Sequence, residues 1–235
     1  MRVLTIANQK GGIAKTTTTT NIAAGLHRAG KKVLLVDLDT QGDLSYNVGA
    51  KEPRKSLAQV VNGATDIHEA IQHTPSGLDL IPADMDLMEL EAKITAFDFS
   101  KLDYDYILID CPPNMAGNTV AAIIASDGVI VPTTADYYGY KSVRAIAESL
   151  QTLQRPLNGI VITRYTGRMI ISKQLTEDIE KLATDLGTKV YNSRIRECVA
   201  VRESQLMQQD IFSYDEKATA AQDYLSLVQE IMQED

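Results

Sequence analysis

Short apolar runs alternate with longer segments of helical period along the whole chain. Residues 3–7, 33–36, 78–81, 106–109, 128–131 and 159–163, with a weaker 189–191, are rich in Val, Ile and Leu on consecutive positions. Consecutive rather than alternating apolar residues mark strands buried on both faces, as in a parallel sheet. Helical patterns fill residues 15–29, 56–61, 85–94, 118–125, 142–153 and 172–186. The clearest is C-terminal, where Ala218, Ala221, Leu225, Val228 and Met232 recur at three and four residues and Tyr224 and Ile231 widen the stripe. This alternation predicts an α/β fold: a doubly wound, mostly parallel sheet with helices on both faces. Residues 50–76 carry weak signals and are expected to be mobile.

The chain has 235 residues, enough for a full core without disulfides or metal, and is expected to form a single domain over residues 1–235. Its 31 acidic and 23 basic residues leave a net charge of −8, which argues against a surface that is a nucleic-acid footprint throughout. Cys111 and Cys198 stand far apart in no metal-ligand spacing, which suits a reducing cytoplasm. The N-terminus turns polar within a few residues, and no run reaches the roughly 18 apolar residues of a membrane span, so a cytoplasmic protein is expected.

The most informative segment is Lys10-Gly11-Gly12-Ile13-Ala14-Lys15-Thr16-Thr17, directly after the first strand and opening the first helix. A strand, a Gly-rich loop and a helix start gather backbone N–H groups at the positive end of a helix dipole, where a phosphate binds. Lys15 then reaches β- and γ-phosphates, and the Thr16 hydroxyl is placed for Mg²⁺. The strict pattern G-x-x-x-x-G-K-[ST] is not met, because Gln9 and Ala14 occupy its two glycine positions. Two carboxylate sites follow. Asp37 and Asp39 end the second strand two residues apart, so both are expected on one side of it, beyond the C-terminal strand ends where ligands sit. The run Tyr106-Ile107-Leu108-Ile109 closes in Asp110, a position suited to holding Mg²⁺.

With its lysine at the start, K-G-G-x-x-K-T-T resembles the deviant Walker A motif of the ParA/MinD group of P-loop ATPases. The resemblance spans nearly the whole chain. Asn8-Gln9-Lys10-Gly11-Gly12 and Leu35-Val36-Asp37-Leu38-Asp39-Thr40-Gln41-Gly42 look most like the short, Soj-like ParA proteins. The resemblance implies an ATP-driven sandwich homodimer in which Lys10 crosses to the other subunit's phosphates. It implies that Asp39 positions the attacking water, with Asp37 in support, and that Asp110 belongs to a Walker B and switch region continuing as Cys111-Pro112-Pro113. Lys10, Lys15 and Asp39 are thus the expected catalytic residues, Thr16, Asp39 and Asp110 the expected metal ligands, and ATP with Mg²⁺ the expected cofactors. Ala14 departs from the family's usual glycine: its Cβ sits where backbone approaches phosphate or adopts positive φ. Nucleotide is still expected to bind, and Ala14→Gly to raise affinity or hydrolysis.

By resemblance, Thr163 and Arg164 at the end of a strand, with residues 195–199, flank the adenine. Residues 164–202 carry net charge +3, leaving −11 for the rest. Arg164, Arg168, Lys173, Arg194, Arg196 and Arg202 in this window are candidates for non-specific DNA contact, as in short ParA relatives. A ParB-like centromere-binding protein is the implied partner, with hydrolysis slow and partner-stimulated. The C-terminal helix has no Lys or Arg after Lys217, so MinD-like membrane attachment is not expected. The expected role is ATP-dependent partitioning of plasmid, chromosome or mobile element, nucleoid-associated when ATP-bound. The alternatives are a positioning switch for another cargo or a nucleotide-binding scaffold with weak hydrolysis.

Overall fold

A computed structural model of the chain describes residues 1–51, 55–90, 99–167 and 170–234. In chain order the elements are β1 (Arg2–Ile6), α1 (Lys15–Arg28), β2 (Val33–Asp37), α2 (Asp43–Asn47), α3 (Leu57–Val61), α4 (Ile67–Ala70), β3 (Gln72–His73) and β4 (Asp79–Ile81). A 3-10 turn at Met85–Leu90 precedes β5 (Tyr106–Asp110), α5 (Gly117–Ala125), β6 (Gly128–Thr134), α6 (Tyr137–Thr152), β7 (Leu157–Tyr165) and α7 (Ile170–Asp185). The C-terminal part adds β8 (Val190–Arg196), α8 (Val199–Leu206), α9 (Ile211–Asp215) and α10 (Thr219–Met232).

The strands form an eight-stranded sheet in the order β3-β4-β2-β5-β1-β6-β7-β8. All neighbours are parallel except β3 and β4. Successive strand residues enter opposite cores, which is why the apolar runs are continuous. Val3, Leu34, Val36, Ile107 and Ile109 pack with α3, α5, α6 and α7 on one face. Leu4, Ile6, Leu35 and Leu108 pack with α1, α9 and α10 on the other. Helices α1 and α10 meet closely at Gly25, where an added Cβ would lie 2.7 Å from Val228. The doubly wound, mostly parallel sheet expected from the sequence is therefore the observed one, and central β1 delivers the Gly-rich loop to the crevice beyond the strand ends.

The differences have local causes. Helix α6 starts at Tyr137 rather than residue 142, because the Asp136 carboxylate accepts the Gly139 N–H as an N-cap. Strand β8 runs on to Arg196 through polar Asn192, Ser193 and Arg194, since it is an edge strand whose outer N–H groups need acceptors rather than apolar cover. Glu230 of α10 accepts the Asn192 and Ser193 N–H groups at 2.7 and 2.8 Å, and Asp223 accepts that of Arg196 at 2.9 Å. The helix expected at 56–61 is α3, and the stretch 50–76 also holds α4 and β3, short elements whose periods are too brief to read. Of the helix expected at 85–94, a 3-10 turn covers Met85–Leu90 and residues 91–94 lie outside the described residues.

Candidate nucleotide site

After β1, Asn8 fixes the entry to the loop. Its amide donates to the Pro132 carbonyl at 2.8 Å and its side-chain oxygen accepts the Lys10 N–H at 3.2 Å. The loop then takes two left-handed residues, Gly12 with φ 71° and Ala14 with φ 68° and ψ 35°. Gly12 does so freely, whereas Ala14 carries the Cβ penalty of that region. Ala14 is also the N-cap position of α1 and offers no side-chain acceptor, so N–H groups of the first helical turn are left for a ligand.

Loop carbonyls are tied back by side chains. Lys15 Nζ donates to the Lys10 carbonyl at 3.3 Å, Arg164 Nη1 to that of Gly12 at 3.0 Å, and Thr163 Oγ1 to that of Ile13 at 2.9 Å. Because a trans peptide points its C=O and the next N–H in opposite directions, each tie turns an N–H to the other side of the chain. Thr163 and Arg164, expected beside the adenine, are thus engaged with the phosphate loop. Both also line the cleft it borders, of about 750 Å³.

Lys15 is 8% exposed, and burial lowers its pKa against the raising effect of Asp110, Cys111 and Asp39. Asp110, fully buried, accepts the Thr16 hydroxyl at 2.7 Å and the Thr19 hydroxyl at 3.0 Å. Burial, with the charge of Asp37 behind it, pushes the Asp110 carboxyl up to about 7. Strands β2 and β5 pair Asp37 with Asp110 in register, so two carboxylates share a buried layer. Burial likewise pushes Asp37 up to about 6.

The expectation that Asp37 and Asp39 lie on one side of the strand is corrected. Strand β2 ends at Asp37, and strand alternation does not extend to Asp39 in the turn beyond. Asp37 is buried and holds that turn, accepting the Ser45 hydroxyl at 2.7 Å, the Ser45 N–H at 3.0 Å and the Asp39 N–H at 3.1 Å. Asp39, half-buried, lines the cleft with Gly11, Gly12, Ala14, Lys15, Thr16 and Thr17.

Lys10 faces elsewhere. Its ammonium donates to Thr134 Oγ1 at 2.9 Å and to the two Asp136 oxygens at 2.8 and 2.9 Å, and it lines a second cavity of about 520 Å³ with Thr134 and Asp136 rather than the cleft. The basic residues of the 164–202 window are largely ion-paired. Arg164 and Arg202 share Glu197, Arg194 pairs with Glu180, and Arg196 with Asp223. Lys173 is exposed on α7, and Arg168 lies outside the described residues.

Sequence reasoning missed Thr19, Ser45, Asp136 and Gln205, the last of which donates to the Thr17 hydroxyl at 2.8 Å. Only Thr19 left a signal, three residues after Thr16 on the same helical face. Cys111 is buried, and burial raises its thiol pKa well above the usual value, which leaves it an inert core group.

A strand, a Gly-rich loop with inward N–H groups, a buried lysine and a hydroxyl–carboxylate pair at a strand end define a P-loop nucleotide-binding protein. The sequence matches the family described as "AAA domain" over residues 1–162. It is 35% identical over 254 residues to the chromosome partitioning protein ParA of Caulobacter vibrioides, covering 99% of this chain and 94% of that protein. The fold is similar to that of the cell division ATPase MinD of Pyrococcus furiosus, with a TM-score of 0.87 and 26% identity over 100% of this chain and 99% of that one. It is also similar to the MinD of Pyrococcus horikoshii complexed with Mg-ADP, with a TM-score of 0.83 and 26% identity over 98% and 95% of the two chains. The chain belongs to the ParA/MinD family of P-loop ATPases.

Proposed function

We propose that residues 1–235 act as one cytoplasmic ATPase domain that dimerises on binding ATP, engages DNA non-specifically as the dimer, and hydrolyses ATP when a ParB-like partner stimulates it. The observation that carries this reading is the phosphate loop itself, with carbonyls of Lys10, Gly12 and Ile13 tied back and the Thr16–Asp110 pair beside it. Likeness to a chromosome partitioning protein over 99% of the chain supports partitioning as the process.

The donor set fits a magnesium ion. Asp110 is a fully buried carboxylate at a strand end, and the Thr16 and Thr19 hydroxyls that it accepts set hard oxygen donors beside the phosphate loop. That is the pattern of a Mg²⁺ bound through few protein oxygens, with water and phosphate completing the shell. Thr16, Asp110 and Asp39 would hold it, and when bound it would offset charge on the transferring phosphoryl group. Lys15 binds the phosphates as a buried cation. Asp39, at the cleft rim, orients the attacking water. Lys10, turned away from its own cleft, serves the phosphates of the second copy, a charge delivered only on dimerisation. The adenine lies along the cleft wall made by Ile195, Cys198 and Val201.

Among the described residues no helix is long and apolar enough to cross a membrane. The likeness to MinD and the ion pairing of Arg164, Arg194, Arg196 and Arg202 favour a second reading, the same ATP cycle acting on another cargo. One experiment separates the two: DNA binding with ATP, ADP and no nucleotide, in wild type, Lys15→Ala and Asp39→Ala. ATP-dependent binding, lost in Lys15→Ala and retained or prolonged in Asp39→Ala, is expected. ATP-dependent dimerisation with no DNA binding would favour the second reading, and nucleotide-independent DNA binding would overturn the switch.

A further inference from the structure

The loop holds two left-handed residues, and one of them, Ala14, has a Cβ. Such backbone persists only where its surroundings over-determine it. Ala14 has no capping side chain of its own to hold it. The ties come from the far end of β7. Thr163, fully buried, is fixed between the Ile13 and Thr133 carbonyls at 2.9 and 3.1 Å. Arg164, itself left-handed with φ 50°, reaches back to the Gly12 carbonyl at 3.0 Å.

Arg164 is in turn held from behind. Its Nε donates to Glu197 at 3.0 Å, and the other Glu197 oxygen accepts Arg202 of α8. Burial would raise the Glu197 carboxyl, yet the hydrogen bonds from Arg202 and Arg164 outweigh it and hold it below the usual glutamate range. The same helix also reaches the first turn of α1, which the loop opens, through the Gln205–Thr17 bond. A planar guanidinium that bridges a carbonyl and a carboxylate is a rigid strut, which an ammonium cannot reproduce.

We propose that Arg164, tethered by Glu197 and Arg202, is a positioning residue for nucleotide binding: it braces the phosphate loop in its anion-binding shape and offsets the strain at Ala14. The inference rests on the ATP-binding reading and goes beyond it, because the brace touches loop backbone rather than reacting atoms. The brace also joins the loop to α8.

Two features of the brace make its test specific. It shapes N–H groups around the β-phosphate, and its value depends on the strain it offsets. Displacement titrations with ATP, ADP and AMP in Mg²⁺ read the first. Arg164→Ala is expected to weaken ATP and ADP by about tenfold, the worth of a lost charge-assisted hydrogen bond, and to leave AMP within about twofold. Glu197→Gln is expected to weaken ATP by about threefold, and Arg164→Lys to recover less than half of the Arg164→Ala loss.

A double-mutant cycle reads the second. Ala14→Gly should restore at least about threefold in ATP affinity to Arg164→Ala while changing the wild type by less than about twofold. Unchanged ATP binding in Arg164→Ala, equal losses for AMP and ATP, or the same effect of Ala14→Gly in both backgrounds would each overturn the brace. A wild-type protein that takes up no ATP removes the nucleotide reading itself, an outcome distinct from failure of the brace alone.

Discussion

Replacing Ala14 with glycine relieves a strain that the structure makes explicit. Ala14 sits at φ 68° and ψ 35°, in the left-handed region that a Cβ disfavours by about 1–2 kcal/mol. Glycine loses more freedom on folding, which returns about 0.4–1 kcal/mol of that gain. The net expectation for Ala14→Gly is a stabilisation of about 0.5–1 kcal/mol. For a chain of this size that corresponds to a rise in Tm of about 1–4 °C. Because the strain is present in the unliganded loop, it is relieved with or without ATP. The gain therefore falls on stability rather than on affinity, which revises the expectation drawn from sequence alone. Thermal unfolding of the nucleotide-free proteins, followed by circular dichroism, checks it. A lower Tm in Ala14→Gly would refute the strain argument, and so would an ATP affinity raised tenfold with no change in Tm.

Two further outcomes test the core and the sheet edge. Asp37 is buried and its carboxyl is raised from 3.8 to about 6, so the fold favours its protonated form. Its stabilising contribution is present below about pH 4 and lost as pH rises through about 6, by up to about 3 kcal/mol. Urea midpoints between pH 4 and 8, without nucleotide, should therefore fall for wild type relative to Asp37→Asn, and a gap that moves the other way contradicts the assignment. At the edge, Glu230→Ala strips the acceptor from two β8 N–H groups and should cost about 1–2 kcal/mol while raising light scattering, with Glu230→Gln milder in both.

What the chain determined by itself is what lies contiguous in it. The β1–loop–α1 unit, the carboxylate closing β5 and the stripe of α10 are legible because period and neighbouring residues encode them directly. The family resemblance likewise rests on contiguous segments: the loop motif, residues 35–42 and Asp110 with the two prolines after it. Tertiary structure decided which partner each polar group meets. Lys10 finds Asp136 and Arg164 finds Gly12 across separations of 126 and 152 residues, and no local spacing announces either pair. Asp37 and Asp39 look equivalent in sequence, yet one is buried against Ser45 and the other lines the cleft, because the strand ends between them. The basic stretch reads as a charged surface until folding brings Glu180, Glu197 and Asp223 to its arginines. Hydrophobic patterning sets which face a residue occupies, whereas a hydrogen bond depends on ångström-scale placement of groups that only the packed sheet and helices bring together.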